Sequence, residues 1–250
     1  MPAVAIVTGA ESGIGRASAV ALADAGYDVG ITWFRDERAA LETVREVAGN
    51  GRRAEARFMD LSQLPGAVDA IDELMDALGG VDALVNNAGA GHSAPITELA
   101  WEDWRYTLQV NLEGAFLCAQ RAVRRMLEQG RGGRIVNVTS VHEHVPLLRS
   151  TPYVVSKHGL GGLTKQLALE LAEHGIAVNS VAPGLVATPL TDMADVDPFS
   201  VEKPNIPVGR PAHAREIASC IAWLCSQGAT YATGASFVVD GGFLLKNPSA

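Results

Sequence analysis

Cysteines, aromatic residues and long apolar runs are all scarce in this sequence of 250 residues. The cysteines are Cys118, Cys220 and Cys225, and their spacing matches neither a disulfide framework nor paired CxxC metal ligands, so we expect buried free thiols. No apolar run approaches the ~18–20 residues that span a bilayer, which predicts that this is not an integral membrane protein. Because the first residues also lack the basic segment and cleavage site of a signal peptide, we expect a cytoplasmic location.

Basic residues are in the minority as well. The 20 Lys and Arg residues and 28 Asp and Glu residues give a formal net charge of -8. A surface of this charge repels phosphate backbones, so we expect no nucleic-acid partner. Hydrophobic residues make up 48% and charged residues 19%, which is typical of a globular chain and excludes disorder as its main state. We expect residues 1–250 to form a single domain.

Short β-branched runs alternate with longer helical patterns along the whole chain. This alternation predicts βαβ units on a parallel sheet, and the apolar strands are expected to be buried on both faces. The predicted strands are 3–8, 28–33, 53–59, 81–86, 133–139, 176–181 and 236–240. The predicted helices are 13–25, 36–48, 64–77, 101–128, 151–173 and 212–226.

One segment, 188–211, interrupts this rhythm. Its five prolines exclude a long regular helix: Pro189, Pro198, Pro204, Pro207 and Pro211. A loop of this length inside a domain is usually functional, and open α/β sheets bind ligands at the carboxyl ends of their strands. Because the segment follows the sixth predicted strand, we expect it to be a substrate lid.

A glycine cluster stands between the first predicted strand and the first helix. Gly9 permits a tight turn, Gly13 lets the backbone approach a pyrophosphate, and Gly15 lets helix and strand pack closely. The helix N-terminus offers free N–H groups and a positive dipole end to phosphates. The cluster therefore predicts a dinucleotide site, and a purely structural turn is the alternative.

The spacing of these glycines is TGxxxGxG, and further motifs follow it in order: Asn86-Asn87-Ala88-Gly89, Asn111, Ser140, Tyr153-x-x-x-Lys157, Pro183-Gly184 and Asp240-Gly241-Gly242. In this pattern the chain resembles the short-chain dehydrogenase/reductase superfamily in its single-domain form, including members like glucose dehydrogenase and 3-oxoacyl-carrier-protein reductase. The resemblance covers essentially the whole chain. It implies a Rossmann-type, doubly wound, seven-stranded parallel sheet with helices on both faces.

The resemblance also implies a set of cofactor contacts. Asp60 and Leu61 match residues at the adenine ring, and an N-cap or turn carboxylate is the alternative for Asp60. Asn87 and Gly89 match contacts to the adenosine ribose. The full implied set is Gly9, Ser12, Gly13, Ile14, Gly15, Arg35, Asp60, Leu61, Asn87, Gly89, Tyr153, Lys157, Pro183, Gly184, Val186 and Thr188, of which residues 183–188 hold the nicotinamide.

The choice between NADP(H) and NAD(H) depends on the end of the second strand. An acidic residue there binds the ribose 2′-hydroxyl, whereas a nearby arginine favours a 2′-phosphate. The family pattern places this position at Trp33, which carries no carboxylate, and Arg35 follows two residues later. Glu11 adds an opposing negative charge, while Ser12 can donate a hydrogen bond. We expect NADP(H), with NAD(H) as the alternative.

Tyr153 and Lys157 are four residues apart on a predicted helix, so they share a face. A nearby ammonium and the positive nicotinamide are expected to lower the tyrosine pKa. The resemblance implies that Tyr153 is the general acid/base, Ser140 binds the substrate oxygen, Lys157 also holds the nicotinamide ribose, and Asn111 positions a water. The implied function is hydride transfer between NADP(H) or NAD(H) and a ketone or secondary alcohol.

Three further expectations complete the analysis. The histidines at 142 and 144 lack metal-ligand spacing, so we expect no metal, and residues 141–144 are expected to line the substrate pocket. The resemblance implies a homotetramer built on helices 101–128 and 151–173. The alternative function is a catalytically weak regulatory or redox-sensing protein on the same fold.

Overall fold

The computed structural model describes residues 2–194 and 196–246. Its strands are β1 (Val4–Val7), β2 (Asp28–Trp33), β3 (Ala54–Phe58), β4 (Ala83–Asn86), β5 (Gly133–Val138), β6 (Ile176–Pro183), β7 (Val186–Ala187), β8 (Ala212–His213) and β9 (Ser236–Val239). Its α-helices are α1 (Gly13–Asp24), α2 (Glu37–Gly49), α3 (Asp69–Leu78), α4 (Trp101–Leu108), α5 (Gly114–Gln129), α6 (Thr151–Leu171) and α7 (Ala214–Cys225).

Seven strands form one parallel sheet in the order β3-β2-β1-β4-β5-β6-β9. The central strands β1, β4 and β6 are buried along their whole length, which is why they contain no polar alternation. The strand order reverses between β1 and β4. Such a switch point opens a crevice at the carboxyl ends of the strands, where ligands bind in this kind of sheet.

Helices cover both faces of the sheet, so the predicted fold is confirmed. On one face α1, α2 and α7 pack against the strands through apolar side chains such as Leu22, Val47 and Ile221. On the other face α3, α5 and α6 do the same through side chains such as Leu74 and Met126. Within the described residues, no helix is both long and apolar enough to cross a membrane.

Two predicted helices differ from the structure. The helix predicted at 64–77 begins only at Asp69, because Leu64 precedes Pro65 and a residue before proline is driven away from the helical region. One short 3-10 turn, Gly66–Val68, lies in the gap. The helix predicted at 101–128 consists of α4 and α5, joined by a π-helical turn at Gln109–Glu113. Such turns are frequent at functional sites.

Among the described residues of the segment 188–211 there is no long helix, as its prolines predict. It has 3-10 turns at Pro189–Thr191 and Pro198–Ser200, and its two ends are tied together where β7 pairs with β8. Residue 195 lies outside the described residues. Ile206 is buried, and the guanidinium of Arg210 stacks over the ring of Phe199 at 4.4 Å. The segment is therefore anchored at several points.

Candidate active site

A cleft of about 520 Å³ opens at the carboxyl ends of the strands. Its walls come from the loops after β1, β2, β3, β4, β5 and β6 and from the start of α6. Most of the residues expected at the cofactor or the substrate line it: Gly9, Ser12, Gly13, Ile14, Arg35, Asp60, Leu61, Asn87, Gly89, Ser140, Tyr153, Lys157, Pro183, Gly184, Val186 and Thr188. Gly15 and Asn111 are not among the lining residues, and both support the wall from behind.

The loop between β1 and α1 is shaped by its glycines. Gly9 and Gly13 have φ values of 62° and 55°, a region that side chains disfavour. A Cβ on Gly15 would lie 2.3 Å from the carbonyl oxygen of Gly9, so only glycine lets the helix start so close to the loop. Ser12 makes no side-chain cap to α1. The first N–H groups of the helix therefore have no side-chain cap, and Gly13 and Ile14 at this helix start line the cleft, where a pyrophosphate could bind them.

Asn87 joins the loops that follow β1 and β4. Its Nδ2 donates to the carbonyl oxygens of Thr8 and Gly9, both at 2.9 Å. In return the Thr8 hydroxyl accepts from the backbone N–H groups of Asn87 at 2.9 Å and Ala88 at 3.0 Å. These bonds fix the two loops at the switch point of the sheet. Asn87 thus has a structural role beside the cofactor contact expected for it.

The end of β2 differs from the expectation. The Trp33 ring packs edge-on against Phe58, with centroids 5.1 Å apart, and is not among the residues lining the cleft. Phe34 and Arg35 line it instead. Sequence reasoning missed Phe34, although its place directly after the strand is the signal for it. Glu11 crosses from the glycine loop, and its Oε1 accepts from the N–H groups of Phe34 at 3.3 Å and Arg35 at 3.4 Å.

The end of the cleft at Asp60 is compatible with both interpretations of this residue. Its Oδ1 accepts from the N–H of Ser62 at 2.9 Å, so the carboxylate caps the 3-10 turn Leu61–Gln63. Asp60 also lines the cleft, beside the buried Leu61. The N-cap and the place expected for an adenine contact are therefore compatible.

Gly184 shapes the end of the cleft that follows β6. A Cβ there would lie 2.8 Å from Cα of Asp240, and its N–H donates to the carbonyl of Val239 at 3.0 Å. The chain leaving β6 is thus held against the end of β9. Thr188 then caps the turn Pro189–Thr191. This packing brings residues 183–188 to the cleft.

Lys157 and Tyr153 share one face of α6 in the deepest part of the cleft. Lys157 is 4% exposed, and its Nζ donates to the carbonyl of Val138 at 2.9 Å and lies 5.7 Å from the centroid of the Tyr153 ring. Burial lowers the pKa of Lys157 to about 8, and the negative charge of Glu143 acts in the opposite direction. Lys157 is therefore mostly charged at neutral pH and loses its proton at mildly alkaline pH.

Burial raises the pKa of Tyr153, and a hydrogen bond with Ser140 opposes this. The lowering expected from the ammonium and the positive nicotinamide together stays a prediction. Desolvation of the phenolate outweighs the hydrogen bond in the protein by itself. The neutral phenol, which donates a proton, is therefore the favoured form before a positively charged ring enters the cleft.

Asn111 occupies the π-helical turn and is 1% exposed. Its Oδ1 accepts from the N–H of Ala90 at 2.7 Å, and its Nδ2 donates to the carbonyl of Ala90 and the hydroxyl of Ser156, both at 2.9 Å. Asn111 therefore connects the loop after β4 with α6. In this way it holds one wall of the cleft against the helix that carries Tyr153 and Lys157.

Residues 141–144 lie behind the cleft and not in its lining, contrary to the pocket expected for them. Nδ1 of His142 is bonded to the carbonyl of Val145 at 3.2 Å, and Nε2 of His144 to the hydroxyl of Ser236 at 3.0 Å. Among residues 2–194 and 196–246, no three His, Cys, Asp or Glu side chains are grouped to hold a metal ion.

A glycine loop before an open helix N-terminus, together with a tyrosine and a lysine in the same cleft, defines a dinucleotide-dependent oxidoreductase on a parallel α/β sheet. Comparison with known proteins leads to the same class. A family model described as Enoyl-(Acyl carrier protein) reductase matches residues 9–244.

Three similar proteins extend this result. The chain is 52% identical to the uncharacterized oxidoreductase YohF of Escherichia coli K12, covering 99% of this chain and 98% of the relative. A crystal structure of acetoin dehydrogenase YohF from Salmonella typhimurium is 54% identical, with a TM-score of 0.95 and coverage of 100% and 99%. A structure from Agrobacterium tumefaciens with bound NADP, described as a candidate 2-deoxy-D-gluconate 3-dehydrogenase, is 37% identical, with a TM-score of 0.85 and coverage of 98% and 97%.

The chain belongs to the short-chain dehydrogenase/reductase family, and it is an NAD(P)-dependent oxidoreductase that acts on alcohol or ketone groups. The regulatory alternative finds no support, since the relatives named above are described as oxidoreductases or dehydrogenases.

Proposed function

We propose that the enzyme interconverts a small ketone and the corresponding secondary alcohol, with acetoin or a similarly small hydroxyketone as the substrate and NADP(H) as the cofactor. One observation carries the proposal: Ser140, Tyr153 and Lys157 converge in a single cleft that the glycine loop also lines. The substrate class is supported by the 54% identity to the acetoin dehydrogenase from Salmonella typhimurium.

In this proposal Tyr153 donates a proton to the carbonyl oxygen during reduction and removes the hydroxyl proton during oxidation. Ser140 holds the same oxygen through a hydrogen bond. Lys157 presents its ammonium to Tyr153 and to the cofactor ribose. Asn111 fixes the loop carrying Ala90, and the water that the sequence analysis expects it to position stays a prediction. When bound, the nicotinamide supplies or accepts the hydride at the carbon of the carbonyl or alcohol.

The chain's own residues fit a dinucleotide. The glycine loop offers free N–H groups at the N-terminus of α1, and a side chain on Gly15 would overlap Gly9. Two observations support NADP(H): Arg35 lines the cleft at the end of β2, and the related structure from Agrobacterium tumefaciens contains NADP. The carboxylate of Glu11 opposes a second negative charge at this end, so NAD(H) remains the alternative cofactor.

The proposed residues that hold the cofactor are those of the expected set. They run from the glycine loop through Arg35, Asp60, Leu61, Asn87 and Gly89 to Tyr153, Lys157 and residues 183–188. Gly15 belongs to the set through its packing behind the loop and not through a place in the lining.

Replacing the proposed acid tests the mechanism. Purified enzyme is given acetoin, its diketone and a panel of ketones and secondary alcohols with each cofactor, and turnover is followed by the absorbance of the reduced nicotinamide. Tyr153→Phe is expected to reduce kcat by about 10²–10⁴-fold with little change in cofactor Kd, because general acid catalysis contributes on this scale. Tyr231→Phe, at a fully exposed tyrosine, is the matched control. A Tyr153→Phe enzyme that kept more than about a tenth of wild-type kcat would contradict the mechanism.

The assembly and location are also proposed. We expect a homotetramer in the cytoplasm, with no nucleic-acid or membrane partner. The exposed apolar residues Phe116 on α5 and Val155 and Leu169 on α6 support an interface on these helices. Light scattering coupled to size-exclusion chromatography measures the mass directly, and a monomer at micromolar concentration would contradict the tetramer.

A further inference from the structure

Glu143 is a buried carboxylate that the proposed mechanism does not use. It lies in the 3-10 turn Val141–Glu143, directly after Ser140, and is 7% exposed. Its Oε2 accepts from the hydroxyls of Ser180 at 3.2 Å and Ser236 at 3.1 Å. Within the described residues it forms no ion pair. A buried carboxylate with only neutral partners is costly, because hydroxyls do not replace full hydration.

Lys157 carries the opposite charge and is likewise buried without an ion pair in the described part of the chain. Its ammonium is buried, donates to the carbonyl of Val138, and has no carboxylate within ion-pair distance in the described part of the chain. Two opposite charges are therefore buried at the same end of the sheet. Each lacks a direct ionic partner.

Gly161 shows how close the carboxylate comes to α6. A Cβ on Gly161 would lie 2.3 Å from Oε1 of Glu143 and 2.7 Å from its Cγ. Gly161 is four residues after Lys157, so the two share a face of the helix, one turn apart. The carboxylate thus packs onto the lysine-bearing face, and only glycine leaves room for it there.

From this arrangement we propose that Glu143 is a positioning residue that acts through Lys157: its carboxylate favours the charged ammonium across one turn of α6. Opposite charges buried in a dry interior attract each other beyond ion-pair distance, because little solvent screens them. The charge pairing stands by itself, whereas its consequence for turnover rests on the proposed function. Glu143 contacts neither substrate nor cofactor in this proposal.

The electrostatics agree with the geometry. Burial lowers the pKa of Lys157 and the charge of Glu143 opposes this lowering, so the pKa of about 8 already includes the effect of the carboxylate. Other titratable groups at this place are Tyr153 on α6, His142, whose ring packs edge-on against Tyr153 at 6.3 Å, and His144, which bonds to Ser236. Wild type and variants share these groups, so a comparison between them isolates the effect of Glu143.

The direct test measures how easily Lys157 loses its proton in the cofactor-free protein. Short pulses of acetic anhydride are applied from about pH 6 to about pH 10, and acetylation of Lys157 is quantified by peptide mass spectrometry, since only the neutral amine reacts. Glu143→Gln keeps the shape of the side chain and removes its charge. We expect the midpoint of Lys157 labelling to fall by about one pH unit.

A second pair of variants makes the test independent of Glu143→Gln folding. Gly161→Ala forces the carboxylate away from the helix without removing it, and the midpoint is expected to fall in the same direction by a smaller amount. Gly162→Ala is the matched control, because a Cβ on Gly162 would meet nothing within 4 Å. It makes the same chemical change on the same helix and should leave the midpoint unchanged.

Turnover supplies the second readout. A merely structural role would reduce kcat equally at all pH values. The proposal instead expects Glu143→Gln to match wild type within about twofold near pH 6 and to fall about fivefold below it near pH 8, where the variant has lost more ammonium. If folded Glu143→Gln and Gly161→Ala both kept the wild-type labelling midpoint, the proposal would be wrong. A shifted midpoint with an unchanged pH profile of turnover would support the charge pairing and contradict the role proposed for the Lys157 ammonium.

Discussion

Asn111 binds both polar groups of the Ala90 backbone: it accepts from the N–H at 2.7 Å and donates to the carbonyl at 2.9 Å. The side-chain amide thus makes the same pair of hydrogen bonds that a neighbouring strand would make with this loop. Asn111 lies in the π-helical turn between α4 and α5, so the amide connects this turn to the loop after β4. Through Ser156 it also connects the loop to α6.

The first prediction tests this amide. Asn111→Asp keeps the acceptor for the Ala90 N–H and removes both donors, leaving the carbonyl of Ala90 and the hydroxyl of Ser156 without that partner. We expect the free energy of unfolding to fall by about 1–3 kcal/mol, measured by urea denaturation. Asn205→Asp, at an exposed site, is the isosteric control. A loss below about 0.5 kcal/mol would show that the pairing does not support the loop.

The second prediction concerns the proposed lid, 188–211. Ile206 is buried and Val208 donates to the carbonyl of Gly241 at 3.1 Å, whereas Leu190 and Phe199 are exposed. Without ligands, we expect amide exchange to be fast near Leu190 and Phe199 and slow at 206–209. Cofactor and substrate together should slow the fast part, because closure excludes water from the site.

Hydrogen exchange with mass spectrometry, with and without ligands, measures this difference. The peptide that contains β9 is an internal reference, because β9 is paired with β6 in the sheet. Strong and equal protection of the whole segment in both states would instead identify a rigid structural loop.

Much of this architecture could be predicted from the sequence, because the physical signals are local. The apolar runs that became β1 and β6 have no solvent face, and the glycine spacing after β1 has a direct steric cause in the overlap that a side chain on Gly15 would produce. The four-residue spacing of Tyr153 and Lys157 fixed their common helix face. These features depend on neighbours in the chain.

The features that could not be predicted depend on contacts between distant parts of the chain. Trp33 is turned away from the cleft because Phe58, on the neighbouring strand, offers it an aromatic partner. The direction of the Tyr153 pKa depends on how completely the fold buries the phenol. The role proposed for Glu143 was not among the expectations for residues 141–144, since it depends on a glycine on α6 and on serines on β6 and β9. A local sequence pattern does not predict such long-range contacts.

The third prediction concerns acid stability. Arg210, near the end of the segment 188–211, holds Glu216 on α7 with two hydrogen bonds of 2.8 Å. This pairing with Arg210 is the main reason that the pKa of Glu216 is lowered from 4.5 to about 2. A folded-state pKa below the unfolded value gives stability that is fully present above about pH 4.5 and is lost as the pH falls toward about 2.

Glu216→Gln should therefore lower the free energy of unfolding at neutral pH and flatten its decline between about pH 4.5 and about pH 2. Urea denaturation at several pH values measures both effects. Glu202→Gln, at an exposed glutamate in the same region, is the control and should keep the wild-type slope. An unchanged slope in Glu216→Gln would mean that other carboxylates account for the acid sensitivity.

The fourth prediction concerns the choice of cofactor. Oε1 of Glu11 accepts from the N–H groups of Phe34 and Arg35, while its Oε2 is buried and has no hydrogen-bond partner among the described residues. A carboxylate in this position repels the 2′-phosphate of NADP(H), whereas the Arg35 guanidinium attracts it. Glu11→Gln keeps an acceptor of the same shape and removes the repulsion.

Glu11→Gln is expected to raise the ratio of NADPH to NADH affinity by about tenfold, which corresponds to about 1.4 kcal/mol. Arg35→Ala should lower the same ratio, because it removes the positive charge and leaves the carboxylate. Calorimetric titration with both cofactors measures the two ratios, and Glu37→Gln at the exposed start of α2 controls for net charge. If wild type and the three variants had the same ratio of NADPH to NADH affinity, the ribose 2′ group would lie away from Glu11 and Arg35. A wild-type preference for NADH of tenfold or more would overturn NADP(H) as the proposed cofactor, and the alternative, NAD(H), would take its place.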